Sequence, residues 1–452
     1  MPIIDAEPRS REPESPPLSY EGMMPLTRHL RETFLKVWDG ADLSGAFDSV
    51  TYAREEQIHH ERRLRALVDS AISDFKTVRA DRTREAEVQS RVLGSFSDFA
   101  CSSLGWDAHL LRGPLADDFA RALRAFPVLA RDFDPALKPT DIYQAARNAI
   151  TFHCLQQLLG VPVRPTPSST AYSLLYPYTD NYLDNQSLGM ASKLAFGDRL
   201  AQRLRGDSVR PATSHERRIF KLVEMIEGEH RRSERPRVFD SLLAIHAAQQ
   251  NSLVLLHRGF GLATNQIVDI SIEKGGTSVL ADGYLTTGDL TAEQAECVYG
   301  LGVFLQLRDD LEDVTDDSKN GQQTVFSSLP VGERLDVPTA RALAIGSAVI
   351  DRLDCFPCPA ASSLCDLMRR SLRLTITDAA ASSAKRYSPA FLQRLERRSP
   401  IGLAFIVEQR RRLARANGSL TSVLQAWLGG SGTARPDAAL LDAGFVARAA
   451  SA

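Results

Sequence analysis

From about residue 25 onward, apolar residues recur at three- and four-residue intervals in long runs separated by short polar, Gly or Pro breaks. That period belongs to amphipathic helices. Glu55 to Val68 shows it as a narrow apolar stripe on a heavily charged segment. The His59-His60 pair there is read as a solvated face, because neighbouring helical side chains diverge by about 100° and cannot easily serve one ion. A helix is expected from Thr140 to Leu159, closed by a loop holding Pro162, Pro165 and Pro167. The next starts near Ser168, where hydroxyl side chains can cap, and Pro177 is expected to kink or interrupt it. Further helices are expected over His215–His230 and Val238–His257. In Thr264–Ser278 the Gly275-Gly276 pair is expected to break the helix. Thr291-Ala-Glu-Gln294 reads as a capping box that opens a long helix ending near Asp313. Thr339–Leu353, Ser362–Lys385 and a basic segment Pro389–Arg398 complete the series. No alternating β-branched run is long enough for a sheet, and no repeat is evident. The expected class is all-α.

Composition narrows this. With 452 residues and 43% hydrophobic content, the chain can bury a large core. The expected division is a disordered tail over 1–20, a helical extension over 21–90, a main helical domain over 91–428 and a flexible tail over 429–452. A formal charge of −2 supplies no global field to attract nucleic acid or an anionic membrane. No run approaches the ~20 apolar residues of a membrane span. The Pro-, Glu- and Arg-rich start lacks the apolar centre of a signal peptide. Six scattered cysteines form no disulfide framework, so a reducing cytoplasm is the expected setting. Cys355-x-x-Cys358, with Cys365 beyond it, has metal-like spacing but no completing ligands, and is read as an ordinary loop.

The candidate chemistry is carboxylate. Asp309 and Asp313 stand at i and i+4 on one helix face, with Asp310 and Glu312 beside them. Four acids in about one and a half turns repel one another and need cationic neutralisation. Far upstream, Asp180 and Asp184 form a second i, i+4 pair. Two facing acid pairs in a helical chain suit divalent cations and a polyphosphate, and hard oxygen donors suit Mg²⁺.

The segment Gly302-x-x-Leu305-Gln306-x-x-Asp309-Asp310-x-x-Asp313 resembles the GxxFQxxDDxxD motif of trans-prenyl diphosphate synthases, with Leu in place of Phe. Asp180-Asn181-x-x-Asp184 resembles their first DDxxD motif, with Asn at its second position. The resemblance spans roughly residues 90–425 and implies the class I isoprenoid synthase fold, an all-α bundle around an Asp-lined pocket. It implies three Mg²⁺ ions held by Asp180, Asp184 and Asp309, with Asp313 acting through water or behind the ligands. Lys274, before the Gly pair, and Lys319 resemble diphosphate-contacting lysines. Arg386-Tyr387 resembles the Arg-Tyr pair late in terpene cyclases. Tyr176, Phe304 and Gln306 are candidate pocket residues, with Phe152, Tyr172 and Tyr182 as further aromatic candidates. Arg308 should point away from the acid face and make a salt bridge. Membrane-embedded prenyltransferases, which also use paired Asp motifs, are excluded by the missing span.

Chain-elongating members of that family also carry a Gly-Lys-x-x-Arg-Pro segment and an Arg-Arg for isopentenyl diphosphate. Here Val163-Arg164-Pro165 lacks the Gly-Lys lead, and Asn185 to Lys193 lacks the Arg pair. The asymmetry favours a terpene synthase that ionises one prenyl diphosphate of C15–C25 and releases a terpene and diphosphate. A prenyltransferase, elongating or squalene-synthase-like, is the alternative enzyme. A catalytically inactive binding partner on the same fold is the non-enzymatic one. The substrate is the expected partner, and a homodimer is compatible with the resemblance.

Overall fold

A computed structural model of the chain describes residues 22–412, apart from 42–49, 113, 184, 186, 257–260, 331 and 359–360. The described residues are all-α, with no strand among them. The expected tails over 1–20 and 429–452, and Asp184, lie outside the described residues.

Sixteen α-helices are described: α1 (Met24–Asp39), α2 (Arg54–Ala80), α3 (Glu85–Ser103), α4 (Ala108–Arg112), α5 (Pro114–Phe133), α6 (Pro139–Leu158), α7 (Pro167–Leu183), α8 (Met190–Arg205), α9 (Ser214–Glu229), α10 (Pro236–Ser252), α11 (Thr264–Thr287), α12 (Ala292–Glu312), α13 (Val314–Asn320), α14 (Asp336–Ile350), α15 (Ala361–Ser382) and α16 (Pro389–Glu396). A last helical run covers 403–412.

Local chemistry accounts for several ends. Thr291 caps α12 by accepting from the Gln294 N–H, and Gln294 returns the bond to the Thr291 N–H at 3.1 Å. Gly206, Gly288 and Gly321 close α8, α11 and α13 with positive φ, a conformation that costs glycine little.

Two expected breaks are absent. Helix α7 continues through Pro177. Almost every α7 residue from Ser168 to Asp180 is buried, so packing holds the helix despite the missing N–H. Helix α11 likewise runs unbroken through Gly275 and Gly276. These glycines serve contact instead. A Cβ on Gly275 would lie 2.7 Å from the Gly302 carbonyl oxygen, and one on Gly302 would lie 2.1 Å from that of Gly275. A Cβ on Gly276 would enter the Tyr299 ring. The α11–α12 pair therefore crosses backbone to backbone, which only glycine permits.

Around this pair, α10 and α1 pack on α11, α14 packs on α12, and α6 packs on α7 and α11. Met23, Leu30, Phe34 and Trp38 of the α1 region join the main core, with Phe34 stacked on Tyr299 at 5.9 Å. This part of the expected 21–90 extension therefore packs into the main core. Helices α2 and α3 pair with each other, and α3 joins α15 and the 403–412 run in a second apolar cluster of Phe96, Phe99, Leu374, Ile401 and Phe405. Helices α12 and α15 run in the same direction, since Cys297 neighbours Cys365 while Phe304 and Leu372 both flank Gly346. That register sets Asp378 of α15 level with the last turn of α12.

Candidate active site

A cavity of about 520 Å³ opens between the main bundle and the α2–α3 side. Its body is apolar, walled by Leu64 and Val68 of α2, Phe96 and Phe99 of α3, and Leu367 of α15. The charged residues on its wall are Arg147 of α6, Arg308, Asp309 and Glu312 of α12, Asp378 of α15, and Arg410. By the α12–α15 register, Asp309 and Asp378 mark the same end. The cavity therefore has an apolar body and a charged rim.

Helix α12 shows how the sequence builds the rim. Leu301, Gly302, Leu305, Gln306, Arg308, Asp309 and Glu312 face the cavity, spaced as one helical face. Phe304 is out of phase with that face. It is 7% exposed and packs beside Gly346 in the core, so its expected place in the pocket wall is corrected to a packing role. Leu305, at the Phe position of the motif, takes the wall instead.

The acid cluster carries its own cations. Arg147 places one terminal nitrogen 2.7 Å from each oxygen of Asp309. Arg308 donates to Asp309 Oδ1 at 2.5 Å and lies 3.7 Å from Glu312. Burial opposes the charge on Arg147, yet the Asp309 carboxylate, with help from Glu312, holds its pKa above the ordinary arginine value. Arg308 is 8% exposed at its side chain, which makes it a buried counter-ion.

Asp310 faces the other way. Burial pushes its pKa up to about 7, while the Gln306 amide at 2.8 Å and nearby Lys274 act against the rise. Its second oxygen, Oδ2, is buried without a hydrogen-bond partner. Burial, with Asp313 and Asp316 close by, likewise raises Asp317 to about 7. Asp313 is exposed at the α12–α13 junction.

Asp180, the described carboxylate of the first motif, does not line the large cavity. Asp180 is 8% exposed and accepts from Gln249 Nε2 of α10 at 2.8 Å. A small cavity of about 40 Å³ beside it is lined by Tyr172, Thr179 and Gln249, and shares Asn148, Tyr176 and Ser278 with the large one. Tyr176 thus lines both cavities. Among the described residues, no group of three or more His, Cys, Asp or Glu side chains is gathered to hold a metal ion.

The other expected site residues divide. Gln306 and Tyr176 line the large cavity. Lys274 does not line it, but is an electrostatic neighbour of Asp310. Lys319 is bonded to Asp316 at 2.7 Å on exposed α13. Arg386 donates to the Phe326 carbonyl at 2.9 Å, and the Tyr387 hydroxyl pairs with Thr339 at 2.8 Å in the core. Neither Lys319, Arg386 nor Tyr387 lines the cavity. Phe152 is core, the Tyr172 hydroxyl donates to the Ser278 carbonyl, and Tyr182 stacks on His215. Arg308 turns toward Asp309 rather than away, although the expected salt bridge is present.

Sequence reasoning missed Arg147 and the Asn148–Asp282 pair. Asn148 donates to Asp282 Oδ1 at 3.1 Å, and burial raises the Asp282 pKa well above the carboxylate range. Both had a visible signal: Arg147-Asn148 interrupts an Ala-Ala…Ala-Ile run, and Asp282 sits inside Val279-Leu-Ala…Gly-Tyr-Leu285. No protein-family model matches the chain, and no curated protein or solved structure does either.

Proposed function

We propose that the chain is a Mg²⁺-dependent class I terpene synthase on an isoprenoid-synthase helical bundle, ionising one prenyl diphosphate of C15–C25. One observation carries the reading. Asp309 of the second motif, with Glu312 beside it, stands with Arg147 and Arg308 at the charged end of a mostly apolar cavity. A prenyl diphosphate has that polarity, with an anionic head on a long apolar chain. The cavity volume falls within the ~300–1,000 Å³ of small-molecule sites.

The donor chemistry fits Mg²⁺, which prefers a few carboxylate oxygens plus substrate phosphate over a ready-made protein cage. Asp309 and Asp313 of the second motif and Asp180 and Asp184 of the first are the residues that would hold it; among the described ones, Asp309 lines the cavity. When bound, Mg²⁺ supplies Lewis-acid neutralisation of the diphosphate. Arg147 and Arg308, both bonded to Asp309, bring positive charge to the end of the cavity where the leaving group would develop negative charge. The C–O bond breaks heterolytically, the diphosphate departs with the electron pair, and the allylic cation remains among Leu64, Val68, Phe96, Phe99 and Tyr176. Aromatic faces stabilise such a cation, and the apolar wall excludes water. Loss of a proton to the released diphosphate completes the reaction.

The test is product analysis with Mg²⁺ and farnesyl, geranylgeranyl or geranylfarnesyl diphosphate, each with and without isopentenyl diphosphate. A hexane-extractable hydrocarbon or alcohol from one allylic substrate alone is the expected outcome. Longer diphosphates formed only with isopentenyl diphosphate would replace this reading with chain elongation.

A further inference from the structure

We infer that Arg147 is a built-in stand-in for the divalent cation: it occupies Asp309 in the resting protein and passes to the diphosphate when the cation binds. The inference rests on the Mg²⁺–diphosphate reading above and adds to it a residue and an order of events.

The geometry comes first. A single Arg147 nitrogen touches both Asp309 oxygens at 2.7 Å, so the carboxylate grips one positive point with both oxygens. A Mg²⁺ ion held by Asp309 would draw on the same carboxylate oxygens, usually one of them. With Arg147 on both oxygens, the cation and the guanidinium compete for Asp309.

Asp309 has a second arginine, and the two differ in access. Arg308 is 8% exposed, bonds Asp309 and lies 3.7 Å from Glu312. Arg147 is 36% exposed and its carboxylate 33%, and both line the cavity. The Arg147 bridge is the more accessible of the two. Arg308 alone can serve the fold, which leaves Arg147 free to exchange.

Charge then couples the two ligands. Displacing Arg147 by a cation strands a guanidinium at the rim, with Tyr176 and Tyr143 as its remaining neighbours beside the acids. An anion arriving in the cavity removes that penalty by accepting the guanidinium, a bidentate phosphate binder. The cation and diphosphate must consequently favour each other's binding, and by linkage the effect is reciprocal.

The experiment is calorimetric titration of Mg²⁺ into the full chain, with and without methylene diphosphonate, for the parent, Arg147→Met and Arg147→Lys. In the parent, diphosphonate should tighten Mg²⁺ binding by about tenfold or more. Arg147→Met should bind Mg²⁺ alone more tightly than the parent and lose most of the coupling. Arg147→Lys should retain part of it, since an ammonium still competes for Asp309 but cannot offer the diphosphate the planar bidentate fork of a guanidinium. Thermal melts check folding, and Arg147→Lys carries the comparison if the Met variant does not fold. An Arg147→Met affinity and coupling equal to the parent's overturns the inference and leaves the function reading intact. Mg²⁺ binding to the parent without coupling does the same. No Mg²⁺ binding with or without diphosphonate overturns the function reading, and this inference with it.

Discussion

The backbone contact between Gly275 and Gly302 gives the sharpest quantitative expectation. In Gly302→Ala the new Cβ would stand 2.1 Å from the Gly275 carbonyl oxygen, whereas ordinary contact begins at 3.4 Å. The helices must part by about 1.3 Å, because the obstructing atom is backbone and cannot rotate away. Overpacking of this kind costs about 1–3 kcal/mol. Replacing a mid-helix glycine by alanine returns up to about 1 kcal/mol. With a carbonyl as the obstacle the cost belongs at the upper end, so a net loss of about 1–2 kcal/mol is expected. Gly94 in α3 is the internal control, since a Cβ there meets nothing within 4 Å. Gly94→Ala should gain roughly 0.5–1 kcal/mol from propensity alone. Urea unfolding of the two variants against the parent reads both signs. Activity gives a second readout, because parting α12 from α11 moves Asp309, and a displacement near 1 Å can lower rate by about 10²-fold. Should Gly302→Ala be stabilised like Gly94→Ala, the close crossing is refuted.

Other expectations follow from burial and partners. His246 is buried with its ring nitrogen 2.9 Å from the Gly197 carbonyl oxygen, and burial lowers its pKa from 6.5 to about 4. The unfolded chain takes up that proton near pH 6.5 and the folded chain resists until about pH 4, so the contribution is complete above 6.5 and is lost as pH falls. It is worth roughly 3 kcal/mol in full, and His246→Gln should flatten the stability-versus-pH curve across that window; an unchanged slope refutes the assignment. Asp282 has the opposite sign, since burial raises its pKa and favours the protonated form in the fold, while the unfolded carboxyl ionises above 3.8. Stability through this group falls as pH rises, so Asp282→Asn, which keeps an acceptor for Asn148, should raise the melting temperature at pH 7, and a lower one would count against a neutral carboxyl. Lys319→Ala should stay within about 0.5 kcal/mol of the parent and keep its turnover, because its partner is exposed Asp316. Tyr387→Phe should cost about 1 kcal/mol through the lost Thr339 bond, without a selective effect on turnover; a selective loss of turnover in either variant would restore that residue to the site.

Much of the architecture was legible because helix periodicity is local. The α12 capping box is present at Thr291, and α6, α9, α14 and α15 begin and end within a few residues of the expected limits. Expectations failed where the deciding partner is remote in sequence. Gly275-Gly276 carries a break signal, but the Gly302 backbone and the Tyr299 ring determine what the pair does. Pro177 is likewise overridden by burial of α7 on nearly every side. In the candidate site, the need for a cation near Asp309 was visible in the acid spacing. Its source was not, because Arg147 lies 162 residues away in sequence and only folding brings the two together. Lys319 and Arg386 matched motif positions, yet a dipeptide or a lone lysine fixes no orientation, and their bonds to Asp316 and the Phe326 carbonyl turn them elsewhere.

The most direct measurement is release of inorganic diphosphate from C15, C20 and C25 allylic diphosphates by the parent chain, without isopentenyl diphosphate. The account predicts Mg²⁺-dependent release from at least one of them, matched mole for mole by a hexane-extractable product and stopped by chelator. Asp309→Asn, folded by thermal melt, should lower the rate by about 10²–10³-fold, the magnitude of a lost charge-stabilising group. Folded parent protein that releases no diphosphate from any of the three with Mg²⁺ would contradict the account.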